Sequence, residues 1–214
     1  MLDITSYIKH FPNALNKPTA QLVIDHYYKN APWRKSSFAT NTGLSPASSK
    51  KVLMNEYWIK RGDMYYDDLK KSFRHMVIEY CKIHSKIIPE RFTDFRLNHY
   101  SEGGFMKNHI DNIHHSHGQK FGYPHITALM FLNDNYEGGE IVLCDGNYKP
   151  QKKQGSGIVF PSNFMFPHEV KKVTKGHRYA LMYGYRPKYI SFVFCENNLI
   201  LPSHIRLRNA GINL

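Results

Sequence analysis

The stretch Asn98-His-Tyr-Ser-Glu-Gly-Gly-Phe-Met-Lys-Asn-His-Ile-Asp-Asn112 decides how the rest of this 214-residue chain is read. It carries His109 and Asp111 two positions apart. In an extended strand, side chains at i and i+2 leave the same face, so both can reach one metal ion without distorting the backbone. Two histidines and one carboxylate make a facial ligand set, which suits Fe(II) and leaves coordination positions open for other groups. The third ligand must come from a distant segment. His168 supplies it, in Met165-Phe166-Pro167-His168-Glu169-Val170, a short apolar run after the turn-prone Pro161-Ser162-Asn163.

Arg178 opens another candidate strand, in which Arg178, Ala180, Met182 and Gly184 share one face. A guanidinium among small and apolar neighbours requires a buried anion, and its rigid fork of donors matches a carboxylate.

The quoted stretch resembles the first metal-binding strand of the prolyl 4-hydroxylase-type 2-oxoglutarate/Fe(II) dioxygenases. Thr127 to Asp134, Glu137-Gly-Gly-Glu140, Gly155 to Pro161, His168-Glu-Val and Gly176-His-Arg-Tyr-Ala180 look like that family's later core strands in the same order. The resemblance runs over residues 95 to 187. It implies that His109, Asp111 and His168 hold Fe(II), and that Arg178 takes the C5 carboxylate of 2-oxoglutarate with Tyr100 and Thr127 adding hydroxyls. It further implies O2 as co-substrate, ascorbate as reductant, and decarboxylation of 2-oxoglutarate to succinate and CO2 coupled to hydroxylation of a C–H bond. Its implied target is a prolyl residue in a peptide or protein, including proline-rich ones. Arg178 stands where collagen-type enzymes of the family carry Lys; lysyl hydroxylases, oxygen-sensing prolyl hydroxylases and bacterial PKHD-type hydroxylases resemble this chain in using Arg. A lysyl, nucleic-acid or small-molecule target is therefore the alternative. Asn112 or Glu169, beside the ligands in sequence, is adjacent enough to orient the imidazoles, but both read better as ordinary polar residues at strand ends.

Rival readings are weaker. Gly176-His-Arg-Tyr-Ala180 lacks the arginine-rich closing motif of oxidative nucleic-acid demethylases. A binding module that had lost its iron would be free to lose His109, Asp111, His168 and Arg178 as well. A cupin-type metal enzyme working without 2-oxoglutarate is the remaining alternative.

The net charge of +12 is spread along the chain rather than gathered in one block. A diffuse field speeds encounters with acidic partners of any kind and specifies none. Lys50-Lys51, Lys60-Arg61 and Lys70-Lys71 interleave with Tyr57, Trp58, Tyr65 and Tyr66, a pattern compatible with a single nucleic-acid strand but better read as solvated lysines around partly buried aromatics. His114-His115-Ser-His117 reads as a loop. Cys81, Cys144 and Cys195 form no CxxC pair, so neither a disulfide framework nor a zinc ribbon is expected. With no apolar leader in the first residues and no long apolar run, the expected location is the cytoplasm, away from membranes. Oligomeric state has no sequence signal.

Two helices are expected upstream, over residues 18 to 31 and 65 to 86. The second presents Leu69, Phe73, Met76, Tyr80 and Ile83 as one apolar stripe. Ser36 to Ser49 is polar and reads as either a flexible loop or a segment that covers substrate. From residue 92, strand-like runs alternate with turns: Arg96 to Tyr100, His125 to Leu132, Glu140 to Cys144, Ser156 to Pro161, Met165 to Val170 and Arg178 to Tyr185. The expected fold is mainly β (α+β), a double-stranded β-helix of jelly-roll or cupin-like type supported by the N-terminal helices. It forms a single domain, with residues 1–91 as helical support and substrate loop, 92–187 as the core, and 188–214 as an extension with one further strand.

Overall fold

The computed structural model describes residues 3–40, 43–46, 50–87, 91–111, 124–186, 193–195 and 198–200. In chain order its strands are β1 Lys9–Phe11, β2 Arg34–Lys35, β3 Ser37–Thr40, β4 Gly43–Pro46, β5 Val52–Leu53, β6 Asn55–Ile59, β7 Arg91–Phe92, β8 Phe95–Tyr100, β9 Phe105–His109 and β10 Ile126–Phe131. They continue as β11 Glu137–Gly138, β12 Ile141–Leu143, β13 Gly157–Pro161, β14 His168–Val170, β15 Val173–Lys175, β16 Arg178–Arg186, β17 Val193–Cys195 and β18 Asn198–Ile200.

A major antiparallel sheet runs β1-β13-β10-β16-β8-β6-β2, with β7 pairing β16, and a minor sheet runs β12-β14-β9-β5. Sheets that alternate apolar residues on both faces need a cover on each side. Here the minor sheet covers one face of the major sheet and the helices cover the other, which is the expected double-stranded β-helix with helical support. Parity along each strand sorts the side chains. Phe95 and Leu97 of β8, Ala128 and Met130 of β10, and Tyr179, Leu181 and Tyr183 of β16 join the helix-side core, while Leu129, Phe131, Ile158 and Phe160 pack between the sheets.

Helix α1, Lys17–Asn30, begins where the Asn16 side chain accepts a hydrogen bond from the Thr19 amide and Pro18 fits the first turn. It ends at Ala31, before Pro32. Helix α2, Tyr66–Ile83, carries Asp67 and Asp68 in its first turn, where negative charge complements the helix dipole. Leu69, Phe73, Met76, Val77 and Tyr80 are buried on the major sheet, but Ile83, expected on that stripe, is exposed because the helix ends there beyond the sheet's edge of contact. Met76 sits so close to β13 that a Cβ on Gly157 would lie 2.6 Å from its methyl carbon, so only glycine lets helix and sheet approach this far.

Other expectations are corrected. Met165 and Phe166 are not strand: the Asn163 side chain accepts from the Met165 amide, the Asn163 carbonyl accepts from the Phe166 amide, and Pro167 offers no donor, so pairing starts at His168. The segment Ser36 to Ser49 holds a hairpin, β3 against β4, rather than an unstructured loop. The expected C-terminal strand is two short ones, β17 and β18, paired with each other. Strands β1 and β6 had no sequence signal, and each finds its place by pairing with a distant strand, β13 and β8. Residues 112–123, including Asn112 and the histidine cluster, lie outside the described residues.

Phe73 lies at the centre of the helix-side core, its ring stacked on Phe95 at 5.3 Å and tilted against Tyr183 at 5.1 Å. Phe73→Ala is expected to cost about 3–5 kcal/mol of unfolding free energy, read from urea or guanidinium unfolding midpoints. His99, on the same face of β8, stacks on Tyr179 at 4.6 Å and shares a hydrogen bond of 3.0 Å with His177. Burial first, and His177 second, push its pKa down to about 4. The unfolded chain therefore takes up this proton before the folded one does. The contribution is complete above about pH 6.5 and is lost as pH falls from there toward the folded value. Unfolding midpoints should drop over that window, and His99→Phe should flatten the drop; an equally steep loss in the variant would remove His99 from the account.

Candidate active site

β14 and β9 pair so that the Cα atoms of His168 and His109 face one another across the minor sheet. β12 flanks β14 on the other side and fixes it with Ile141 opposite Val170 and Leu143 opposite His168. β9 ends at His109, so Asp111 lies in the bend just past the strand rather than two positions along it. It nonetheless joins the two imidazoles. His109 Nε2 lies 3.6 Å from Asp111 Oδ1, and His168 Nε2 lies 3.5 Å from Asp111 Oδ2. Ligand atoms of the three residues all fall within 4.8 Å of one another. Neighbouring ligands around an ion with bonds of ~2.1 Å would stand about 3 Å apart, so a small contraction accommodates one.

The ring nitrogens turned away from the cluster meet backbone. His109 Nδ1 is 2.9 Å from the Lys107 carbonyl, and His168 Nδ1 is 3.2 Å from the Phe166 carbonyl. A carbonyl only accepts, so each Nδ1 carries the proton and each Nε2 presents its lone pair to the cluster. Backbone carbonyls thus face both rings; Glu169 is paired with Lys171 on the outer face of the minor sheet, and Asn112 lies outside the described residues. Burial and the neighbouring His168 push the His109 pKa down to about 4, against the opposing pull of Asp111. His109 is therefore neutral and ready to ligate at neutral pH.

The resemblance implies a Thr127 hydroxyl for the C5 carboxylate; in the structure that hydroxyl stands beside Asp111. The β10 position of Thr127 faces Gly184, well along β16 from Arg178, and its hydroxyl donates to Asp111 Oδ2 at 2.7 Å. Having one proton, that hydroxyl must then accept from Ser162 Oγ at 2.8 Å. A buried Ser162–Thr127–Asp111 chain so holds the carboxylate. Ser162 had been read only as a turn former, and nothing local distinguished it.

Arg178 is buried at the other end of the cavity. Register places it opposite Tyr100, whose ring lies 4.9 Å under the guanidinium, with Phe131 at 6.0 Å. Tyr136 also neighbours it, the guanidinium opposing the upward push of burial on the Tyr136 hydroxyl's pKa; this residue escaped sequence reading although it adjoins the Glu137-Gly-Gly-Glu140 motif. Arg178 Nε has no hydrogen-bond partner, and among the described residues no carboxylate pairs with this guanidinium. Gly139 makes the room: with φ of +63° it sits where a Cβ would be 3.2 Å from Arg178 Cδ and 2.9 Å from Val173. A buried cation short of an acid is costly, so an external carboxylate fits this end.

Arg96, Asn98, Leu129, Ala180 and Met182 line the cavity between these ends with the residues above. Elsewhere, Tyr57, Tyr65 and Tyr66 are partly buried against the helix-side cluster, in keeping with the reading of solvated lysines around partly buried aromatics. No helix among the described residues is long and apolar enough to cross a membrane. Cys81 and Cys144 are free thiols.

Residues 95–186 match the sequence profile described as the 2OG-Fe(II) oxygenase superfamily. A PKHD-type hydroxylase of Stenotrophomonas maltophilia (strain R551-3) is 33% identical over 102 residues, covering 45% of this chain and 44% of the relative, so the chain spans less than half the length of that relative. A crystal structure of a Pseudomonas putida prolyl-4-hydroxylase superposes with a TM-score of 0.65 at 17% identity, over 86% of this chain and 94% of the other. A Trichoplax adhaerens prolyl hydroxylase, solved with a peptide fragment of the hypoxia inducible factor oxygen degradation domain, gives 0.69 at 20% identity over 85% and 84%. At these identities the structural likeness speaks for the fold.

Removing the Thr127 hydroxyl should loosen Asp111. Thr127→Val is expected to weaken Mn(II) or Co(II) binding roughly 10-fold or more by calorimetric titration, and Thr127→Ser to retain most of it. Unchanged affinity in the valine variant would mean that backbone alone positions the carboxylate.

Proposed function

We propose that the chain is an Fe(II)- and 2-oxoglutarate-dependent dioxygenase that hydroxylates a C–H bond, with a prolyl residue of a peptide or protein as its target. The observation that carries this reading is the pairing, in one cavity, of the His109, Asp111 and His168 cluster with the acid-free buried guanidinium of Arg178. Two histidines and a carboxylate suit Fe(II) with positions left open, and the unpartnered Arg178 Nε is the fit expected of a site for a dicarboxylate co-substrate. When bound, the iron and 2-oxoglutarate supply the oxidising chemistry, with O2 as oxidant and succinate and CO2 as by-products.

The protein's own part is positional. Arg178 and Tyr136 would hold the far carboxylate, with Tyr100 beneath it, while His109, Asp111 and His168 hold the metal. Span therefore selects the co-substrate: one carboxylate must reach Arg178 while the other end reaches the cluster. Apolar walls from Leu129, Ile141, Val170, Ala180 and Met182 keep water away from the reacting centre. The prolyl target is supported by the PKHD-type relative and the prolyl hydroxylase folds, and ascorbate enters as the reductant that keeps iron in its ferrous state.

Purified protein with Fe(II), 2-oxoglutarate and ascorbate should form succinate, faster with a library of proline-containing peptides, and should yield a peptide heavier by one oxygen atom. His109→Ala should abolish both. Turnover indifferent to peptides would keep the oxygenase and reject the peptidyl target, whereas absence of succinate under all conditions would reject the oxygenase.

A further inference from the structure

The cavity holds a second buried guanidinium. Arg96 and Asn98 share with Tyr100 the cavity face of β8, and both line the space beside His109, Asp111 and Met182. Unlike Arg178, Arg96 is neutralised from within: its Nη2 lies 2.7 Å from Glu56 Oε2 on β6 and donates to Ser36 Oγ at 2.9 Å. The Glu56 approach falls outside hydrogen-bond geometry, so the contact is an ion pair whose carboxylate oxygen keeps accepting capacity. Glu56 is itself held by the Trp58 indole N–H at 3.4 Å. Two polar atoms on this wall have no partner: the Arg96 Nε–H, a donor, and the Asn98 Oδ1, an acceptor.

We propose that Arg96 and Asn98 recognise the backbone amides of an extended peptide substrate, and that this end of the cavity is built for an uncharged ligand. The proposal rests on the oxygenase reading and names what its substrate must offer. The charge pattern separates the two guanidiniums. An anion approaching Arg96 would also meet the Glu56 carboxylate and gains little from a pair that is already neutral. An amide gains from both free atoms, since its C=O accepts from the Arg96 Nε–H and an N–H donates to Asn98. Buried groups left unmatched are costly, which makes the amide preference selective as well as attractive. Spacing points to a peptide rather than one isolated carboxamide. The two side chains leave β8 two residues apart, about 7 Å along the strand, which is the repeat of outward-facing backbone groups in an extended chain.

The test separates the two ends of the cavity. Protein loaded with Mn(II) in place of iron is titrated calorimetrically, first with 2-oxoglutarate and then with a pool of capped proline-containing peptides, with free proline and with a short oligonucleotide. Arg96→Met alone strands the Glu56 charge, so the working variants are the charge-neutral Glu56→Gln/Arg96→Met double and Asn98→Leu, each checked for a cooperative unfolding transition. Wild type should bind a capped peptide, and both variants should weaken it roughly 10-fold or more while 2-oxoglutarate affinity stays close to wild type. Arg178→Met should do the reverse to 2-oxoglutarate. The proposal is overturned if the double variant loses 2-oxoglutarate as Arg178→Met does, if peptide affinity is indifferent to both variants, or if wild type takes 2-oxoglutarate but prefers free proline or the oligonucleotide or takes no peptide. A wild-type protein that takes no 2-oxoglutarate overturns the oxygenase reading and the proposal with it.

Discussion

The antiparallel register between β9 and β14 is the constraint on which the site depends. Only when the His168 Cα faces the His109 Cα can two imidazoles from opposite halves of the core share one ion. A one-residue slip would send one of them to the solvent face, because side chains alternate along a strand. The apolar partners of β14 on β12 guard against that slip, and a bulge between His168 and Val170 accommodates the pairing. The carbonyls of Lys107 and Phe166 then fix each ring, so the backbone that builds the sheet also sets the tautomer.

Around this contact the interior is graded. One apolar cluster, with Leu129, Phe131, Phe160 and Phe166, lies between the sheets at one end, and another, with Met54, Met106, Val170 and Val173, at the other. The polar residues sit in the seam. There, low dielectric strengthens every charge interaction and makes each unmatched charge expensive. The seam answers in two ways. Glu56 neutralises Arg96 within the protein, whereas Arg178 has only hydroxyl and aromatic neighbours among the described residues and keeps its charge for an incoming ligand. One cavity thus distinguishes an anionic co-substrate from a neutral substrate by where it places a single carboxylate.

Thr127 illustrates how place along a strand sets what a side chain meets. Strand parity points it into the cavity, and position along the strand decides what it meets there. It lies at the metal end, so its hydroxyl stiffens Asp111 through a chain begun by Ser162. The pair adds rigidity to a ligand that comes from a bend past the end of β9.

Period-two alternation and turn chemistry by themselves located the core strands, because a half-buried strand must alternate whatever it pairs with, and the four-three repeat of α2 located its buried face as far as Tyr80. The types of residue in His109, Asp111, His168 and Arg178 were likewise sufficient to frame the chemistry, since ligand preference and charge are local properties. Tertiary structure alone decided the rest. Ile83 is exposed because the sheet ends before the helix does. Pro167 and Asn163 shorten β14 through hydrogen bonds that a hydropathy pattern does not register. Tyr136, Ser162 and the Glu56–Arg96 pair became visible only when segments far apart in sequence were packed together, for burial, register and charge balance are properties of the assembled interior and leave no periodic mark on the chain.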